Sequence, residues 1–135
     1  MKIDVNKIRR LGKTEESFSF LYMPNNEIID LPNAAFEKET EVEGTVYLSD
    51  DGNAFVKGEI TFYLVGECSR CLKQAKATVS IPFEENYTKL GDDGSYPILR
   101  GTVDLTKAVD DNIIMNMPMK LLCSSDCEGI SYKSE

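Results

Sequence analysis

From Val42 to beyond Val79, apolar side chains fall on every second residue, so the chain must lay one face of extended strands against a core. Over Glu41 to Ser49, Val42, Gly44, Val46 and Leu48 take one face, while Glu43, Thr45 and Tyr47 take the other. Asp50-Asp51-Gly52-Asn53 follows, a hairpin sequence in which glycine supplies the positive φ. The alternation resumes in Ala54, Val56, Ile60, Phe62 and Leu64. It returns, after Gly66 to Gln74, in Ala75, Ala77, Val79, Ile81 and Phe83. This pattern predicts three antiparallel strands making a sheet core over residues 42–88.

Ser17 to Tyr22 reads as a further strand. Met23 to Glu39, with Pro24, Pro32, paired asparagines and several acids, reads as an irregular connection, and Leu90 to Gly101, with Gly91-Asp92-Asp93-Gly94 and Pro97, as a loop. From Asp104 the period changes. Leu105, Ala108, Val109, Asn112, Ile113 and Met117 recur at helical spacing, which predicts a helix over 104–117 with Asp104 as its cap and Pro118 as its stop. Residues 118–135 form a C-terminal cysteine segment. With 135 residues, 41% hydrophobic and 28% charged, the whole chain 1–135 is expected to be a single α+β domain, predominantly antiparallel β-sheet with a C-terminal helix and a cysteine-bearing tail.

Several function classes lose support. No apolar run reaches membrane-spanning length, and the basic residues of Met1 to Arg10 have no apolar segment behind them, so a cytoplasmic protein without membrane contact is expected. The net charge of −8 argues against a broad phosphate-binding surface. The absence of histidine removes Ser-His and Cys-His catalysis. There is no phosphate loop, dinucleotide fingerprint or nucleophile elbow. Asp104 reads as a cap instead of a catalytic acid, and Asp111 as exposed or paired with a base. Ile113, Ile114, Met115 and Met117 are expected to pack first against the sheet. A non-catalytic protein follows.

The four cysteines form two short pairs, Cys68 with Cys71 and Cys123 with Cys127, separated by 51 residues. In a reducing compartment such pairs suit one zinc ion held by four thiolates, a structural site that closes only if the two segments meet. The alternatives are partly buried thiols without metal, and a Cys68–Cys71 redox couple, which here lacks a βαβ setting. Arg70, Lys73 and Lys120 would place positive charge near a dianionic zinc-thiolate centre or form a partner-binding patch; bracing of the turn and simple solvation are the plainer readings.

Cys68-Ser69-Arg70-Cys71-Leu72 resembles the Cys-x-Arg-Cys-Leu signature of the YceD-like large ribosomal RNA subunit accumulation family. Val103-Asp104-Leu105, Val109, Asp111, Pro118, Lys120 and Cys123-Ser124-Ser125-Asp126-Cys127-Glu128-Gly129 follow in the family's order, so the resemblance covers about Leu64 to Gly129. It implies a non-catalytic factor supporting large-subunit ribosomal RNA accumulation and ribosome assembly by binding a ribosomal protein or precursor RNA. Many Gram-positive relatives continue into a further cysteine knuckle. Gly129-Ile130-Ser131 departs from that pattern, so a four-sulfur site would have to join both pairs. The other readings are a general zinc-stabilised protein-interaction module, using the acidic surface or a sheet edge, and a thiol oxidoreductase.

Overall fold

The computed structural model describes residues 1–29, 31, 33–68, 73–91 and 94–118. In chain order these form β1 (Lys2–Asp4), α1 (Val5–Arg10), β2 (Glu15–Tyr22), a 3-10 turn at Asn26–Ile28, β3 (Ala35–Leu48), β4 (Ala54–Glu67), β5 (Gln74–Thr88), β6 (Ser95–Pro97), β7 (Thr102–Asp104) and α2 (Thr106–Met115). The main sheet has the order β2-β3-β4-β5-β6, and β1 pairs with β7 in a separate ribbon. The result is the expected single domain, mostly antiparallel β-sheet with a C-terminal helix. Among the described residues no helix is long and apolar enough to cross a membrane.

The alternation works as read. Val42, Val46, Val56, Ile60, Phe62 and Leu64 are fully buried on one face of β3 and β4, and Ile81, Phe83 and Tyr87 extend that face onto β5. Between β3 and β4, Gly52 adopts φ +93° and the Ser49 N–H donates to the Asn53 carbonyl at 3.0 Å. Asp51 accepts from the Asn53 N–H at 3.2 Å and also from the Ser49 hydroxyl. The Ser49 bond, with that N–H, holds the Asp51 carboxyl below its ordinary range. From Ala54↔Tyr87 to Glu67↔Gln74, β4 and β5 pair without a register shift.

Two expectations are corrected. The connection assigned to Met23–Glu39 already contains strand, because β3 starts at Ala35. Register shifts between Phe36 and Lys38, and between Lys38 and Glu41, break the two-residue period at Lys38, which is exposed although Phe36, opposite Leu64, and Val42, opposite Ile60, are both buried. The Phe36 ring meets Phe62 edge-on, with centroids 6.2 Å apart. Leu90–Gly101 is likewise more than a loop: β6 adds parallel to β5 through Asn86↔Ser95, Tyr87↔Tyr96 and Thr88↔Pro97.

The C-terminal helix lies inside the predicted span. The N-cap is Leu105, not the expected Asp104, because the helix starts only at Thr106; Asp104, the last residue of β7, still reaches the first turn, its Oδ1 accepting the Thr106 N–H at 3.0 Å. Ala108, Val109, Asn112 and Ile113 are buried. Ile114 and Met115 point outward, 50% and 73% exposed, so only Ile113 and the half-buried Met117 perform the packing expected of all four residues. Buried Asn112 spans the interface: its Nδ2 donates to Glu85 Oε2 at 2.7 Å and to the Ala108 carbonyl at 2.8 Å. Glu85 stands opposite Val56 on the core face of the sheet, so its carboxylate needs such a donor.

Candidate functional site

The first cysteine pair begins where β4 ends. Cys68 is fully buried, and its N–H donates to the Lys73 carbonyl at 2.7 Å, closing the turn from which β5 leaves. Lys73 itself is exposed. The connection between two strands expected here is therefore present. Arg70, Cys71, Lys120, Cys123 and Cys127 lie outside the described residues, as does any meeting of the two cysteine pairs. Among the described residues no cluster of three or more Cys, Asp or Glu side chains is arranged for a metal ion.

A second constellation forms where α2 crosses beside β6. A cleft of about 530 Å³ opens between them, lined by Tyr87, Tyr96, Leu99, Asp104, Asp110 and Ile114 among others. A neighbouring hollow of about 480 Å³ shares Tyr96, Asp111 and Ile114 with it and adds Glu85 and Met115. The two meet at a hydrogen bond of 2.8 Å from the Tyr96 hydroxyl to Asp111 Oδ2. Lys107 pairs with the same carboxylate at 3.1 Å, so Asp111 is paired with a base as its helical position suggested.

Tyrosine hydroxyls hold α2 at Asp110 and Asp111, and the end of β7 at Asp104. The Tyr22 hydroxyl donates to Asp110 at 2.9 and 3.1 Å, and that of Tyr87 to the Asp104 carbonyl at 3.0 Å. Burial and the hydrogen bond to Asp110 push the Tyr22 phenol up to about 12. Burial also raises Tyr87 and Tyr96, aided by the phenol of Tyr96 for the first and the Asp111 carboxylate for the second. Burial, partly offset by the Tyr22 hydroxyl and reinforced by Asp111, keeps the Asp110 carboxyl above its usual range. For Asp104 burial works in the same direction, but bonds from Thr106, the N-terminal ammonium and Lys2 outweigh it and leave the carboxyl lowered.

Of the residues that carry the family resemblance, Val103, Leu105 and Val109 are core, whereas Asp104 and Asp111 line the cleft. Sequence reading missed Tyr22, Tyr87, Tyr96 and Glu85. Tyr22 and Tyr87 look like ordinary strand residues, Tyr96 falls in the segment read as a loop, and nothing local announces the elements that meet them. A carboxylate at Glu85, in phase with Ile81, Phe83 and Tyr87, was the available signal, because a charge on a buried strand face implies a partner.

The family described as "Large ribosomal RNA subunit accumulation protein YceD" matches residues 56–135. An uncharacterized protein of Mycobacterium leprae (strain TN) is 27% identical over 86 residues, covering 58% of this chain and 40% of that relative. The aligned part thus spans well under half of the relative's length. No solved structure matches the chain.

Proposed function

The chain belongs to the YceD family of large ribosomal RNA subunit accumulation proteins, and from that membership we propose that it supports large-subunit ribosomal RNA accumulation in the cytoplasm by binding, without turnover, a ribosomal protein or the precursor RNA. The observation that carries this reading is the match over 56–135, which takes in nearly all of β4, then β5 to α2 and both cysteine pairs. The net charge of −8 supports a local or protein-mediated contact over a broad grip on phosphates. Depleting the protein in its host should lower mature large-subunit RNA relative to small-subunit RNA. An unchanged ratio with normal subunit profiles rejects the reading.

The same proposal gives the four thiols a structural role. Cys68, Cys71, Cys123 and Cys127 hold one zinc ion, which fastens the C-terminal segment to the turn after β4. What supports this is Cys68, withdrawn from water at the foot of a closed turn, a setting that suits a structural ligand more than an exposed redox thiol. A four-thiolate ion there supplies a cross-link and has no open coordination position for chemistry. Lys73, with Arg70 and Lys120, offers positive charge to that centre or to the partner. Full-length protein purified without chelator should contain one zinc per chain, and Cys68→Ser and Cys123→Ser should each lose it. Substoichiometric metal in carefully handled protein counts against the shared site.

A further inference from the structure

The hollows beside α2 combine two independent features. They are walled by apolar groups left in water: Leu99 is 64% exposed, Ile114 50% and Met115 73%, three of the eight large hydrophobic residues exposed among those described. Their polar lining is strongly one-signed, with Glu85, Asp104, Asp110 and Asp111 set against Lys107 alone. Each hollow falls within the roughly 300–1,000 Å³ typical of ligand pockets, so an aliphatic side chain has room in either. We propose that the two hollows flanking the Tyr96–Asp111 hydrogen bond are the docking site for a basic protein segment, one that presents an aliphatic anchor between lysine or arginine side chains. This inference rests on the assembly-factor reading above and gives its partner a chemistry.

Charge complementarity selects the occupant. Phosphate oxygens would meet four carboxylates and a single ammonium, so a nucleic-acid backbone is repelled where a cationic side chain is attracted. Each carboxylate keeps acceptor capacity beyond its internal bonds, since two oxygens offer about four lone-pair sites. The raised Asp110 carboxyl points the same way, because an arriving cation stabilises an anion that burial and Asp111 disfavour. Lysine and arginine also carry apolar stems, which can lie along Ile114 and Leu99 while their charged ends reach the rim. The Tyr22 and Tyr96 hydroxyls fix α2 against the sheet, so the groove is formed before the partner arrives.

The test titrates the full chain with a short labelled peptide alternating lysine and leucine, read by fluorescence anisotropy. Lysine–serine and glutamate–leucine peptides serve as controls, each expected to bind about tenfold more weakly or worse. Ile114→Ser and Asp110→Asn should each weaken the lysine–leucine peptide about tenfold, while Tyr47→Ser on the opposite sheet face leaves it unchanged. Ile114 is half exposed, so its replacement leaves the core intact, and a thermal melt checks both variants. Equal affinity in wild type and variants overturns the proposal. So does an RNA oligonucleotide that binds through the same residues, or a dimer that Ile114→Ser dissolves. In the depleted host, cleft variants should fail to restore the RNA ratio. If they restore it fully, the cleft assignment falls and the assembly role stands; if depletion itself changes nothing, the assembly role falls and the peptide titration alone judges the cleft.

Discussion

Gly44 and Gly58 face one another across β3 and β4, and Phe18 and Phe83 stand beside them on the flanking strands. A Cβ on Gly44 would sit 2.6 Å from the Gly58 Cα and against the Lys57 carbonyl, and one on Gly58 would sit 2.9 Å from the Gly44 Cα. Neither obstacle is a side chain that can turn away. Gly44→Ala or Gly58→Ala is therefore expected to cost about 2 kcal/mol or more, measured by urea unfolding. Thr40 presents the opposite case: fully buried beside the β3 bulge, its hydroxyl has no hydrogen-bond partner among the described residues. Thr40→Val keeps the branched shape and removes the desolvated oxygen, so it should stabilise by about 1 kcal/mol in the same measurement. The sequence placed Gly44 on the face of Val42 and Val46 but did not reveal Gly58 as the partner that makes it necessary.

The C-terminal helix divides sharply between its faces. Ile113 is fully buried, and Ile113→Ala should cost about 3 kcal/mol, while Met115→Ala at the exposed rim should stay within about 0.5 kcal/mol. Comparable losses at both positions would contradict the packing described. The tyrosine contacts on this helix carry a pH signature. The Tyr22 phenol is raised from 10.0 to about 12, so its hydrogen-bonded form contributes fully below the unfolded value and is withdrawn as pH climbs through about 12. Wild type should therefore lose stability across that alkaline window more steeply than Tyr22→Phe, with near-UV tyrosinate absorbance marking the ionisation. At the level of elements, the helix was readable because its three- and four-residue spacing is strong and an acidic residue, Asp104, stands just before it. β6 was not, because three residues with a proline have no period to detect.

At the scale of the molecule, the core is built mainly from β3, β4, β5 and α2, with Ile3, Val5, Ile8 and Val103 joining it, and among the described residues Cys68 is the one proposed zinc ligand buried in it. On the zinc proposal, chelation of the full chain should lower the melting midpoint while the far-UV signature of the sheet survives below it, because only the proposed cross-link to the C-terminal segment would be lost. Complete unfolding on chelation at ambient temperature would mean that the ion organises the core itself. The split between local and distant information explains how far the sequence could be read. Alternation from Val42 to Phe83 and the helical spacing after Asp104 by themselves determined the sheet core, the helix and the residues that face inward, since burial of one face is encoded in the local period. Separately from any period, the cysteine and Val-Asp-Leu motifs carried the family resemblance. The pairing of β1 with β7, the parallel addition of β6 and the cleft were decided only by tertiary structure. Tyr22 and Asp110 are 88 residues apart in the chain, and an amphipathic period records that a face is covered without recording what covers it.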